Sequence, residues 1–370
     1  MTVSGDDPGP ASPAPRPQPE LRRRWIAAAL ALVLLVTVVV TALAFNRALL
    51  GAGASPSETA QPTATTSPTE TPTQTPPPPP PPPPAPEPEP PRTAMNILLI
   101  GSDIRGNARE AEAQRQATGQ RPDHRSDVLM LVHIPADRQR IYGISFMRDL
   151  WVNIPGYGGS KINSALEVGG VPLVTQTVGA LLNAPIDHTV MVDFEGFKRL
   201  TDTLGGIEVD VKVPFTSTHD SRRPFPAGIN HLDGFGALEF VRERYAFSDG
   251  DYQRVRNQQT FLRSVLAKLV KNGTAADPNA ARNLIGAVAP YLIVDSGFDA
   301  GKMAWLAYSL RGLPPENAIF FTLPTAGTGF SSTGQSIVLQ NPGATAAVGA
   351  ALREGRIGEY VEANGLLGGN

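Results

Sequence analysis

An unbroken run of nine prolines, Pro76–Pro84, lies inside a stretch from residue 51 to 93 dominated by Pro, Thr, Ser, Ala and Glu. Such a stretch has too few large apolar side chains to offset the entropy of ordering it, so it joins no packed core. In polyproline II geometry each residue advances ~3.1 Å, which gives the proline run roughly 30 Å of stiff reach as a spacer. The part that folds must follow it. Residues 95–370 are long enough for one large domain with a single core.

Ahead of the spacer, Trp25–Phe45 is an apolar run of 21 residues interrupted only by Thr37 and Thr41. At ~1.5 Å per helical residue it spans roughly 30 Å, the thickness of a bilayer core. Arg22, Arg23 and Arg24 precede the run and only Arg47 closely follows it. The positive-inside bias then leaves the N-terminus in the cytoplasm and the rest outside. Ala42-Leu43-Ala44 has the form of a signal-peptide cleavage site, but the run is longer than the usual signal-peptide core, which favours an uncleaved anchor. The expected organisation is a cytoplasmic segment 1–24, a transmembrane anchor 25–45, an extracytoplasmic linker 46–94 and a catalytic domain 95–370.

Net charge is −2, which gives no support to binding of polyanions through bulk charge, so any anion site must be local. With no cysteine, disulfides, thiol chemistry and Cys-based metal sites are excluded too. The histidines His124, His133, His188, His219 and His231 have no metal-ligand spacing. Gly158-Gly159-Ser160-Lys161 lacks the order of a phosphate-binding loop, and no nucleophile elbow is present. Basic stripes with interleaved aromatics are missing, so nucleic acid is not an expected partner.

Short apolar runs predict strands at Asn96–Gly101, Asp127–Ile134, Arg140–Phe146, Thr189–Phe194, Ile207–Val213 and Ala318–Leu323. Helical patterns cover Val171–Leu182, Phe194–Leu204, Gly234–Val241, Asp251–Val270 and Ala344–Val361. Strands interleaved with amphipathic helices predict an α/β layered domain with a mixed central sheet.

That reading gathers charges. The second and third strands form an antiparallel hairpin, which puts Arg125 and Asp127 at the same edge as Arg148 and Asp149. Asp103 joins that edge if the first strand is antiparallel to the second. Arg242 and Arg244, two apart, share a face only if the helix from Gly234 ends before them. Asp251, Arg254 and Gln258 share one face of the next helix. Carboxylates beside several arginines suggest a site for Mg²⁺ and phosphate, because Mg²⁺ takes one or two carboxylates and arginine binds phosphate oxygens bidentately. Ordinary surface ion pairing is the competing explanation.

Six segments resemble the LytR–CpsA–Psr family: NILLIGSDIR (Asn96–Arg105), RSDVLMLVHI (Arg125–Ile134), ISFMRDLWVNIPGYGGSKIN (Ile144–Asn163), VDFEGFKRLTDTLGGIEVDV (Val192–Val211), HLDGFGALEFVRERY (His231–Tyr245) and DGDYQRVRNQQTFL (Asp249–Leu262). The resemblance implies an α/β/α domain that holds a polyprenyl pyrophosphate in an apolar tunnel. It also implies Mg²⁺-assisted transfer of a lipid-linked glycopolymer to peptidoglycan. Asp103 and Asp127 become the metal-side carboxylates. Arg125, Arg148, Lys161, Arg242, Arg244, Arg254 and Gln258 become pyrophosphate ligands, with Arg105, Asn163 and Asp251 as further substrate-binding positions. Asp127 or Asp149 is the expected proton acceptor. Met147 replaces a family proline and Asn257 a family arginine. The expected tunnel residues are Val174, Val178, Leu181, Phe194, Phe197, Leu200, Phe261, Val265 and Leu269, which plain core packing explains equally well. A pyrophosphatase and a non-catalytic lipid-phosphate binder remain as alternatives.

Overall fold

The computed structural model describes residues 92–103, 113–114, 117–118, 125–219, 221–271, 292–298, 302, 306, 309–310 and 313–368. The expected anchor, Arg105 and all of the linker before residue 92 lie outside them. The first half contains β1 (Met95–Ser102), β2 (Ser126–Ile134), β3 (Ile141–Ser145), β4 (Trp151–Ile154), β5 (Gly158–Lys161), α1 (Ser164–Leu182), β6 (His188–Val192), α2 (Phe194–Thr203) and β7 (Ile207–Val211). There follow β8 (Phe215–Thr216), β9 (Pro224–Phe225), β10 (Gly228–Leu232), α3 (Gly234–Arg242), α4 (Asp251–Lys271), β11 (Leu292–Val294), β12 (Ala318–Thr322), β13 (Thr325–Phe330), β14 (Ser336–Gln340), α5 (Pro342–Arg353) and α6 (Ile357–Ala363).

Six strands form the central sheet in the order β11-β6-β1-β2-β3-β12. β1 and β3 are antiparallel to β2, while β1 is parallel to β6 and β3 to β12. The sheet is therefore mixed, as expected. Side chains alternate across it. Ile97, Met130 and Val132 face one core, shared with α2, α3, α4 and the β7–β10 ribbon. Leu98, Leu129 and Leu131 face the other, shared with α1, α5 and α6. Two helical layers thus enclose the sheet.

Several elements differ from expectation. β7 pairs with β10 outside the central sheet. The expected helix Ala344–Val361 is two helices, because Gly355 adopts φ +68°. There the Arg356 N–H donates to the Ala351 carbonyl at 2.8 Å, closing a left-handed helix end that suits glycine. α1 starts earlier than expected, at Ser164, and kinks at Gly170 (φ 66°) just before Pro172. It is long and apolar enough to cross a membrane, yet it packs Leu166, Val174 and Val178 into the domain core. The β4–β5 and β13–β14 hairpins were not expected.

His133 is a buried test of this core. Its Nδ1 lies 2.7 Å from Asn96 Oδ1. Burial, and then the nearby Arg138 charge, lower its pKa from 6.5 to about 4. Between those values the unfolded chain binds a proton that the folded chain refuses, so stability falls as pH drops through that window. The loss from this one group is of order 3 kcal/mol by pH 4. Urea titrations of the unsubstituted chain and His133→Gln between pH 7 and 4 should show a shallower pH dependence in the variant.

Candidate active site

The charged edge forms as the register dictates. Ser102 stands opposite Ser126 across the β1–β2 pair. Just beyond it, Asp103 Oδ1 accepts the Arg125 N–H at 2.8 Å. Past β3, Arg148 turns back onto β2 and its Nη1 donates to Asp127 Oδ1 at 2.7 Å. The β4–β5 hairpin then returns the chain to the same place, with the Asn163 N–H donating to the Arg148 carbonyl at 3.2 Å. Lys161 Nζ consequently sits 3.5 Å from Asp149 Oδ1, which is also 3.9 Å from Arg148 Nε.

The second group docks against the first through Asp251, at the start of α4. Its carboxylate accepts from Arg254 Nη2 at 3.1 Å, Arg148 Nε at 3.3 Å and Arg244 Nη1 at 3.4 Å. α3 ends at Arg242, one residue later than expected, and Glu243 is extended. Arg242 and Arg244 nevertheless diverge in their contacts. The Arg242 guanidinium lies over the Phe194 ring at 4.5 Å, and that of Arg244 over Tyr245 at 4.4 Å. Gln258 Nε2 donates to the Val241 carbonyl at 3.1 Å, tying α4 to the end of α3.

An apolar cavity lies against this cluster. Asp127, Arg242, Arg254 and Gln258 line it, and its walls are apolar. Phe197 and Phe261 meet there with ring centroids 5.0 Å apart, beside Leu200 and Val265. The floor is the sheet itself, through Leu99, Met130 and Val190, which sequence reasoning missed. Of the residues expected around a tunnel, Val174, Val178 and Leu181 belong instead to the core on the opposite face of the sheet. Helical periodicity marks a residue as buried but does not say on which side. The Leu269 side chain lies outside the described residues.

Charge is concentrated here. Arg148, Lys161, Arg244 and Arg254 pair with Asp127, Asp149 and Asp251, while Arg242 lies beside them over Phe194. Burial is the largest influence on Arg148 and opposes its charge, but Asp251, Asp127 and Asp149 outweigh it and raise its pKa. For Arg254 burial wins, aided by the charges of Arg148 and Arg244, and its pKa is lowered. The Arg254 side chain is 4% exposed, and its Nε is buried with no hydrogen-bond partner among the described residues. Arg125 reaches the edge through its backbone, but its guanidinium turns to Glu167 at 3.2 Å. Asn163 keeps a buried Oδ1 without a partner among the described residues.

Asp103 and Asp127 suit a divalent cation of the Mg²⁺ kind. Each uses Oδ1, and neither Oδ2 has a hydrogen-bond partner among the described residues. Those residues hold no cluster of three or more Asp, Glu or His able to bind a metal. Two carboxylates alone would leave most of the shell of such an ion to water and phosphate oxygens.

The described residues thus put the Arg242 and Arg254 side chains on the lining of an apolar cavity, on one face of a helix-enclosed sheet. The chain belongs to the LytR–CpsA–Psr family: the model described as the LytR_cpsA_psr family matches residues 57–347. It is 31% identical over 254 residues to the probable cell wall biosynthesis protein LcpB of Corynebacterium glutamicum, covering 68% of this chain and 59% of that protein. It is 30% identical to the polyisoprenyl-teichoic acid–peptidoglycan teichoic acid transferase TagU of Enterococcus faecalis, covering 65% of this chain and 73% of that one. Among solved structures, TagT of B. subtilis bound to LIIa-WTA matches with a TM-score of 0.56 and 25% identity, over 74% of this chain and 94% of that one.

Proposed function

We propose that this domain transfers a glycopolymer from a polyprenyl-pyrophosphate carrier to a hydroxyl of peptidoglycan, at the outer face of a membrane in which Trp25–Phe45 anchors it. The observation that carries this reading is the cavity. One set of walls joins an apolar channel lined by Phe197 and Phe261 to a mouth lined by Asp127, Arg242, Arg254 and Gln258. A polyprenyl tail and a diphosphate head have that same division. The relatives named above support the substrate class, since TagU is a transferase to peptidoglycan and TagT was solved with LIIa-WTA.

In this reading the arginines and Lys161 hold the diphosphate oxygens and lower the energy of the charge that develops during phosphoryl transfer. A peptidoglycan hydroxyl attacks the phosphorus bonded to the sugar chain. The bond from that phosphorus to the bridging oxygen breaks, and polyprenyl phosphate leaves with the bonding pair. Asp149 accepts the hydroxyl proton, because its partners at 3.5 and 3.9 Å hold it more loosely than Arg148 holds Asp127 at 2.7 Å. Asp103 and Asp127 would hold Mg²⁺, which would supply further neutralisation of phosphate charge.

The test is incubation of the full chain in detergent with a lipid-pyrophosphoryl sugar, peptidoglycan and Mg²⁺, followed by linkage analysis. Sugar joined to peptidoglycan through a phosphodiester is expected, with chelation lowering the rate by roughly two orders of magnitude. Release of free sugar phosphate alone would mean that water is the acceptor and would overturn the transfer reading.

A further inference from the structure

Glu243 is flanked in sequence by two arginines of the site and yet forms an ion pair with neither. It is fully buried, at 0% exposure. Its carboxylate accepts five donors: the N–H groups of Thr218 (2.6 Å), Arg244 (2.9 Å), Tyr245 (2.9 Å) and Ala246 (3.2 Å), and Thr218 Oγ1 (2.9 Å). The three consecutive N–H groups belong to the turn that follows α3, where no helical carbonyl is available to them. Thr218 belongs to the loop between β8 and β9, so one carboxylate binds two segments of chain together. A second strap runs alongside, from Ser221 Oγ to Glu239 Oε2 at 2.6 Å.

We infer that Glu243 is a positioning residue for the diphosphate site, its carboxylate serving as the internal anion that shapes the turn carrying Arg244. Its charge is used on backbone dipoles, which leaves the guanidinium of Arg244 to Asp251 and to an incoming phosphate. The inference rests on the function proposed above and adds to it the device that sets the direction of one cationic ligand. Two further observations agree. The many donors hold the Glu243 pKa below the usual carboxylate range despite burial, which acts in the opposite sense. The Arg244 guanidinium also lies over the ring of its neighbour Tyr245, whose N–H is one of those bound by Glu243.

Glu243→Gln removes the charge at nearly constant volume and turns one acceptor into a donor facing N–H groups. The test is a double-mutant cycle on the full chain in detergent with Mg²⁺, reading the affinity for geranylgeranyl pyrophosphate by calorimetry. Glu243→Gln is expected to bind roughly tenfold more weakly. In an Arg244→Ala background the same substitution should weaken binding by less than about twofold, because its effect passes through Arg244. General loosening of the fold would weaken binding equally in both backgrounds and would overturn the inference. So would a folded Glu243→Gln chain that binds normally. If Glu243→Gln fails to fold, Thr218→Val, which removes one hydroxyl donor, is read in the same cycle by the same criterion. Arg244→Ala binding as tightly as the unsubstituted chain would sink the diphosphate reading itself and this inference with it. Weak binding by Arg244→Ala beside normal binding by Glu243→Gln would sink the inference alone.

Discussion

Arg148→Ala is expected to reduce the proposed glycopolymer transfer by roughly three orders of magnitude, because one guanidinium would serve two purposes there. The first is direct stabilisation of phosphate charge, where loss of a single well-placed donor typically accounts for a factor of about 10² to 10³. The second is the arrangement of its neighbours. Arg148 reaches Asp127 at 2.7 Å, Asp251 at 3.3 Å and Asp149 at 3.9 Å. Asp127 and Asp251 are 16% and 15% exposed, so without Arg148 two largely desolvated carboxylates would repel each other and the substrate. Arg148→Lys should recover little, since a single ammonium cannot make the directional contacts of a planar guanidinium. Steady-state transfer rates beside thermal melts would separate lost chemistry from lost fold. A folded Arg148→Ala chain with full activity would remove the residue from the site.

The convergence around Arg148 was legible in the sequence because it follows from strand period and turn position. Apolar runs on either side of the polar turn Pro135–Gln139 define a hairpin, and a hairpin places Asp127 beside Arg148 whatever the rest of the chain does. The spacing of Asp251 and Arg254 likewise survives, as a helical i, i+3 pair. Other features depend on which surfaces meet, and spacing carries no such information. Val178 and Phe261 both fall on apolar helical faces, yet they lie on opposite sides of the sheet. Arg125 has the sequence neighbours of a ligand, but Glu167, 42 residues away, takes its guanidinium. Glu243 stands between two arginines in the chain, yet its acceptors are filled by backbone donors and a threonine from another loop. The break before α6 was readable in principle, since Gly355 follows the last apolar residue of α5 and takes the left-handed conformation that ends helices.

Affinity for prenyl pyrophosphates is expected to climb steeply with chain length until the cavity is full and then to stop. Burying a methylene contributes about 0.8 kcal/mol, so the ceiling is about 4 kcal/mol for each five-carbon unit. Ordering a flexible tail takes back part of this, and roughly tenfold per unit is a sound expectation. Leu200→Trp places an indole among Phe197, Phe261 and Val265, all of which line the cavity with Leu200. It should leave the affinity for geranyl pyrophosphate within about threefold and weaken geranylgeranyl pyrophosphate by roughly 10², at an overpacking cost of about 1–3 kcal/mol in fold stability. The head group contacts are unchanged in this comparison, so the length dependence isolates the tail. Calorimetry across geranyl, farnesyl and geranylgeranyl pyrophosphates reads it directly. A flat series in the unsubstituted chain would mean that these aromatic walls are ordinary core, and that the cationic cluster holds a phosphate with no lipid attached.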